Sequence, residues 1–368
     1  MLSVEVVVDS AGLRALADQW RQLWARSSSG GLFQSFEYCL DAWELVQQRE
    51  NSNLVCLAGW RGGRLVAVWP FTTYRNRLWT YARQLEASSV EIHQLLIDDD
   101  VDQEEWVRSA WAALIKHSRA DVVRLSYRQD GPAARFLGAL PGHRTDRTTG
   151  VAVRVALRDV PDWDAFYASL SKSHRKDYAK SRRRLEALGP LEFEVLAPGD
   201  DRLPSLVEWT LTQKRRWAER TGKQGAWLYS DRYHRFLEHQ LAHREHSAPN
   251  QMMTLRLGGE LLATQLVAVG RTSLDAVIAG FDAEHEKHSP GARMMECLVR
   301  WAWDNRLDCE LGSGAEPYKT FWSRNEEMVI ASSEVAVSWR GVAGLAMRRL
   351  VQRWRQIRAG RAVPGPGR

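Results

Sequence analysis

The densest cluster of groups able to do chemistry runs from Leu274 to Trp322. Leu274–Phe281 reads as a buried strand, and it delivers Asp282 and Glu284 into a stretch crowded with titratable side chains that continues to His288. In strict alternation the two carboxylates share one face of the strand. Ser289-Pro290-Gly291 then opens a helix, with Ser289 as the capping residue and Pro290 in the first turn, where its missing N–H costs nothing. A strand that stops at a helix N-terminus leaves free backbone N–H groups at the positive end of a dipole, an arrangement that suits phosphate. Ser289, Gly291, Ala292 and Arg293 make up that turn, and Gly291 allows a pyrophosphate close to the backbone. After the next strand, Gly312-Ser313-Gly314 leads to Tyr318-Lys319 on a short helix, placing a phenol and an ammonium beside the mouth of the loop. By residue type alone, that lysine is expected exposed and that tyrosine half-buried.

A second chemical feature lies upstream. Ser171–Leu188 reads as a helix with Lys172, Lys176, Lys180 and Arg184 at i, i+4 spacing, and Arg175, Arg182 and Arg183 add to the charge. Like charges so spaced cost ~0.2–0.5 kcal/mol per pair in an isolated helix, so the stripe gains from an anionic partner. A solvated face is the plainer reading. His239 and His243 have the spacing of a metal pair, but no HExxH arrangement accompanies them and no metal is expected.

The elements that must position these groups come in two similar sets. Asn53–Ala58, Gly62-Gly63 and Arg64–Trp69 read as a hairpin, and so do Gln251–Leu257, Gly258-Gly259 and Glu260–Gln265. The two glycine pairs are 196 residues apart. Upstream of each hairpin a helix starts at a serine, Ser35 or Ser230. Downstream, Trp106–His117 leads into the strand at Val122–Leu125, and Met294–Asn305 into the strand at Asp308–Leu311. Helix, hairpin, helix, strand, twice over, predicts a duplicated α/β unit with a boundary near Arg158–Asp164.

Composition bounds the rest. The 368 residues suit two domains, and 44% hydrophobic with 26% charged is a globular balance. A net charge of +6 favours anionic partners without choosing among nucleic acid, a phosphorylated cofactor and an acidic membrane. No run reaches the ~18 apolar residues of a membrane span, and no basic segment precedes an apolar run at the start, so a cytoplasmic protein without a signal peptide is expected. Cys39, Cys56, Cys297 and Cys309 fall in no CxxC pair and read as buried small hydrophobes in a reducing compartment. Val342–Ile357 carries five arginines in or beside an apolar helix. It is expected to pack on the core with arginines snorkelling outward, or else to rest on an anionic membrane.

The pattern Phe281-Asp282-Ala283-Glu284, Ser289-Pro290-Gly291, Leu298, Gly312-Ser313-Gly314, Tyr318-Lys319 and Trp322 resembles the CelD-type acetyltransferases of the GNAT superfamily, which are related to the Fem-type peptidyltransferases. The likeness covers about 160–330 well and the first half in outline. It implies an α/β chain of two tandem GNAT-like domains, each a mixed, mostly antiparallel sheet flanked by helices. The expected division is 1–159, a degenerate domain; 160–340, the working domain; and 341–368, a basic helix and tail. It implies acetyl-CoA or another acyl-CoA held at the helix beginning at Gly291, and an amine acceptor such as an amino sugar or an envelope or exopolysaccharide precursor. The general GNAT phosphate loop is Arg/Gln-x-x-Gly-x-Gly/Ala. Here Ser289 stands at its first glycine and Pro290 follows, which leaves a Fem-like aminoacyl-tRNA donor as an alternative, with Lys172, Arg175, Lys176 and Lys180 on the RNA backbone. A non-catalytic accessory of polysaccharide assembly, docked through 342–357, is a third reading. For acyl transfer the expected roles are Asp282 or Glu284 as base or amine-positioning group, Tyr318 as the acid for the departing thiolate, and Lys319 on a phosphate or acidic acceptor.

Overall fold

The computed structural model describes residues 2–76, 78–88, 95–131, 134–223, 225–324 and 326–361, and for 144–147, 352–353 and 355–361 the backbone alone. In the first half β1 (Leu2–Val7) precedes α1 (Ser10–Ala15), α2 (Ala17–Arg26) and α3 (Phe36–Asp41). Then come β2 (Ser52–Arg61), β3 (Arg64–Asn76), β4 (Trp79–Gln84), the short β5 (Leu96–Ile97), α4 (Gln103–Ser118), β6 (Val122–Arg128), α5 (Ala134–Gly138) and β7 (His143–Val155). Two helices, α6 (Trp163–Ser169) and α7 (Lys172–Glu186), lead into β8 (Leu191–Leu196). The second half repeats the plan with α8 (Leu203–Thr221), α9 (Asp231–Ala242), β9 (Asn250–Leu257), β10 (Glu260–Val269), β11 (Ser273–Phe281), α10 (Pro290–Asp304), β12 (Asp308–Ser313), α11 (Pro317–Thr320) and β13 (Met328–Ala336). A last helix, α12 (Trp339–Arg361), follows.

The duplicated hairpins are present as expected. Gly62 and Gly63 have φ of 60° and 76°, and Gly258 and Gly259 have 58° and 87°, values that let two residues close each tight turn. Ser35 caps α3 through its side chain, which accepts from the Tyr38 N–H; Ser230 precedes α9 without making that bond.

Among the described residues the strands form one thirteen-stranded sheet ordered β1-β2-β3-β4-β6-β13-β7-β12-β11-β10-β9-β8, with β5 set beside β3. From the centre outward, β13-β6-β4-β3-β2-β1 mirrors β7-β12-β11-β10-β9-β8. The halves have exchanged their last strands. β7 pairs with β12, β13 pairs with β6, and β7 and β13 pair with each other from Met328 opposite Ala152 to Ala336 opposite His143. The boundary expected near Arg158–Asp164 therefore divides the sequence but not the sheet.

Most pairings are antiparallel, but β4 runs parallel to β6, and β11 runs parallel to β12. One sheet face carries α4 over the first half and α10 over the second, each on its own core. On the other face α1–α3 and α8–α9 share a single core that unites the halves. Asp41 on α3 accepts from Gln240 at 2.5 Å and lies 2.9 Å from His239 Nδ1, both on α9. His239 is thus engaged in an inter-half contact, with His243 3.2 Å away on its other nitrogen. Cys39, Cys56 and Cys309 are buried, Cys297 is partly so, and all four are free.

Asp308 secures the start of β12 against the end of β7. Its carboxylate accepts from the Leu157 N–H at 2.7 Å, the Arg158 N–H at 2.9 Å and Arg154 at 2.6 Å. Burial pushes against ionisation, but these donors prevail and hold the group below the ordinary carboxylate range. A depressed carboxylate contributes stability above its unfolded pKa and loses that contribution as pH falls through the folded one. Asp308→Asn is expected to cost about 2 kcal/mol at pH 7 and to flatten the acid limb of stability, read by urea melts from pH 7 to pH 3.

α12 differs from the expected core helix. Its first turns pack closely: Leu345 is buried, a Cβ on Gly341 would collide with the Asp121 carbonyl, and one on Gly344 would lie 2.5 Å from the Trp79 ring. Trp339, Met347, Leu350 and Trp354, however, face outward and are exposed. Residues 362–368 lie outside the described residues.

Candidate active site

The site in the second half is framed by a cleft between two parallel strands. β11 and β12 pair only at Ser273–Asp275 with Asp308–Glu310. Beyond that point β11 stays with β10 as far as Phe281 opposite Ala263, while β12 turns toward β7. The two strands therefore diverge toward the start of α10. α8 closes one side of the cleft. Gly280 permits this, because a Cβ there would lie 3.0 Å from the Thr210 carbonyl.

At the mouth, the local geometry departs from the sequence expectation in two ways. Asp282 and Glu284 do not alternate along a strand, because β11 ends at Phe281 and Ala283–His288 form a tight helical turn. Asp282 caps that turn, accepting from the Glu284 N–H at 3.0 Å, and lies 3.1 Å from His285 Nδ1. Glu284 is exposed and has no ion pair among the described residues. Ser289 does not cap α10 with its hydroxyl; it takes a left-handed conformation, φ 55° and ψ 55°. Its carbonyl accepts from the Ala292 N–H at 3.1 Å and the Arg293 N–H at 3.3 Å. Pro290 has no N–H, so Gly291 supplies the one first-turn amide without an acceptor among the described residues. Space beside Gly291 is open, the nearest atom to an added Cβ being Phe281 Cδ1 at 3.7 Å. Arg293 turns to Glu296, at 2.6 Å, rather than toward the mouth.

α7 lies alongside. Ser181 Oγ donates to the His288 carbonyl at 2.5 Å, and Tyr178 and Leu185 are buried. The basic stripe of Lys172, Lys176, Lys180 and Arg184 is exposed on the opposite side. Arg175 departs from it, donating to the Leu170 carbonyl at 3.1 Å.

The lysine after β12 reverses its expected exposure, while the tyrosine is half-buried as its residue type predicts. Tyr318 is 43% exposed and Lys319 only 8%. Lys319 donates to the Ser313 carbonyl at 2.6 Å and lies 3.1 Å from Glu316 Oε2, so it braces the loop between β12 and α11. The surrounding protein, and then the Glu316 charge, push the Tyr318 phenol up to about 12, which keeps it protonated and able to donate.

Two titratable groups escaped the sequence reading. Lys214 on α8 sits 4.1 Å from the centre of the Trp217 ring, and burial, then Lys319 and Lys223, lowers its ammonium to about 8. The chain has only eight lysines among its fifty-one lysines and arginines, but nothing in the sequence brings Lys319 to Lys214 and Lys223. A depressed ammonium means the folded state sheds a proton that the unfolded chain keeps until about pH 10.5. Its charge therefore costs stability below pH 8, and the cost fades as pH rises from 8 to 10.5. Lys214→Met is expected to stabilise the protein at pH 7 by about 1–2 kcal/mol and to remove that alkaline slope, read by denaturant melts at pH 7 and pH 10. The second missed group is Asp275, an acid inside an otherwise apolar strand and opposite Glu310.

The first half has a mirror opening where β4 and β6 part after Arg83 and Arg124. A cavity of about 350 Å³ lies there, lined in part by Arg83, Arg124, Glu334 and Arg348. Its arginines are already matched: Arg83 to Glu86, and Arg124 and Arg348 to Glu334. It has no counterpart of Tyr318 among its lining residues.

Residues 172–320, from the basic helix through Tyr318, match the family model of the GNAT acetyltransferase domain. That stretch is a GNAT acetyltransferase domain, and its presence supports an acyltransferase activity. No curated protein matches it in sequence. Among solved structures, the chain is similar to FemX (TM-score 0.60, 10% identity, covering 86% of this chain and 95% of that one). It is similar to the C-terminal domain of a putative lysylphosphatidylglycerol synthetase from Agrobacterium fabrum (TM-score 0.52, 12% identity, 91% and 95%). A tandem GNAT protein from the clavulanic acid biosynthesis pathway is a third (TM-score 0.50, 15% identity, 91% and 100%). At such identities the likeness is one of fold, and it agrees with two GNAT-like units in tandem. The domain family implies a capacity to bind acyl-CoA in residues 172–320.

Proposed function

We propose that this chain transfers an acyl group from acyl-CoA to an amine acceptor, with the donor lying in the cleft between β11 and β12. One observation carries the reading: the parallel pair opens directly toward the free Gly291 amide, with a protonated phenol on α11 at its other edge. The cleft gives an extended thioester arm a strand edge to lie along, and the start of α10 offers a donor to its phosphates. Two of the expected amides are spent on the Ser289 carbonyl, so exposed Lys287 is assigned the remaining phosphate charge. Tyr318 protonates the departing thiolate. Glu284, exposed and without an ion pair among the described residues, is assigned to draw a cationic acceptor toward the cleft. The CelD-like pattern favours an amino sugar or envelope precursor as acceptor. Thiol release from acetyl-CoA against a panel of amines, with mass detection of the product, tests this; a chain that does not bind the coenzyme in calorimetry rules it out.

Two further partners are proposed, each on a single observation. α12 contains seven arginines and no acidic residue, and it exposes Trp339, Met347, Leu350 and Trp354. Apolar side chains framed by arginine suit an anionic membrane surface, so pelleting with anionic but not neutral vesicles is expected. The outward lysines of α7 favour a polyanion, and a charged tRNA as donor would show binding that falls steeply with salt.

A further inference from the structure

Asp275 and Glu310 stand side by side in register at the last paired position of β11 and β12, where the cleft begins. Two arginines reach this pair, and both are already committed. Arg128 is bound to Asp130 at 2.7 Å and lies 3.5 Å from Glu310; Arg154 is bound to Asp308 at 2.6 Å and lies 3.5 Å from Glu310. Four carboxylates therefore share two guanidiniums, and the cluster balances its charge best by keeping a proton. Asp275 has the weakest claim on the arginines, and the Leu32 N–H from the first half faces it. Burial, and then the Glu310 charge, push Asp275 up to about 7, while Arg128 and Arg154 oppose the rise. Glu310 is raised as well, by burial, so the two titrate as a pair. Both keep some exposure, 17% for the Glu310 side chain, so protons can reach them.

The position along the strand matters as much as the charge. From Asp275 to Phe281 is six residues, roughly 20 Å of strand. A donor whose phosphates sit at Gly291 and whose arm runs back along β11 brings its thioester toward Asp275.

We propose that Asp275 is the proton acceptor of the acyl transfer and that Glu310 is its positioning residue. This rests on the acyl-transfer reading above. The acceptor ammonium gives one proton to the Asp275 carboxylate, and the freed lone pair forms the C–N bond at the thioester carbonyl. The C–S bond then breaks. The thiolate takes a proton from Tyr318, which recovers one from the new amide nitrogen, and Asp275 releases its proton to water.

The test is the pH profile of kcat/KM for acetyl transfer to the best amine of the panel. Wild type is expected to show an acidic limb near pH 7. Glu310→Gln removes the repulsion and moves that limb to lower pH. Asp275→Asn, nearly isosteric, lowers the plateau about 10²–10⁴-fold and abolishes the limb. A purely structural role for Glu310 would leave the limb where it was. If either variant fails to fold, the infrared carboxyl band of the wild-type protein substitutes: a protonated acid that persists at pH 6 is expected, and its absence overturns the proposal. An Asp275→Asn profile that matches wild type overturns the proposal alone. Failure of wild type on every amine overturns the acyl-transfer reading itself, and the base with it.

Discussion

Tyr318→Phe is expected to leave the fold and coenzyme affinity intact while lowering kcat about 10²–10⁴-fold. The size follows from what the hydroxyl is placed to do. A thiolate leaving without a proton is a poor product at neutral pH, and a phenol held near 12 retains its proton until the sulfur demands it. The ring is 43% exposed, so losing one oxygen costs little packing. kcat and kcat/KM should fall together, as for an interaction made in the transition state. Equal turnover by the variant in a thiol-release assay would remove Tyr318 from the chemistry.

The second large effect concerns the chain's integrity. Residues 160–361 produced alone are expected not to fold, although they contain the entire matched domain. The cut takes β7 from beside β12, and it takes both neighbours of β13, since β6 and β7 belong to residues 1–159. It also strips the shared core of its α1–α3 side. Bare strand edges and an uncovered core face lead to aggregation rather than a smaller native domain. Producing 1–159 and 160–361 together should restore a soluble pair that elutes as one species. A monomeric 160–361 with a cooperative melt would contradict the role assigned to the exchanged strands.

Local chemistry explains which parts could be read from sequence. Gly62-Gly63 and Gly258-Gly259 marked both hairpins because a two-residue turn demands positive φ and little else tolerates it. The strand exchange was not legible: β7 and β13 look the same in sequence whichever neighbour they take. The site divided along similar lines. The region from Asp282 to Lys319 was found through its residue types, but the geometry of each side chain depended on where β11 stops. Ending at Phe281 rather than running on through Glu284, it turned Asp282 into a cap. The loop before α11 folds back so that Lys319 reaches the Ser313 carbonyl, a contact six residues away that no periodicity encodes. Asp275 was passed over because one acid in an apolar strand looks incidental until its neighbour across the pair is known to be Glu310.

The exchanged strands also fix the order in which a nascent chain can finish itself. β6 emerges from the ribosome early, yet its partner β13 begins only at Met328. At ordinary translation speeds that is a wait of roughly 10–40 s with an unpaired edge held open. In the finished sheet no first-half strand closes that edge, because β7 lies between β13 and β12. The protein thus becomes safe from edge-to-edge association only when synthesis is nearly complete, and a shielding chaperone should be found on chains stalled anywhere between Val155 and Met328.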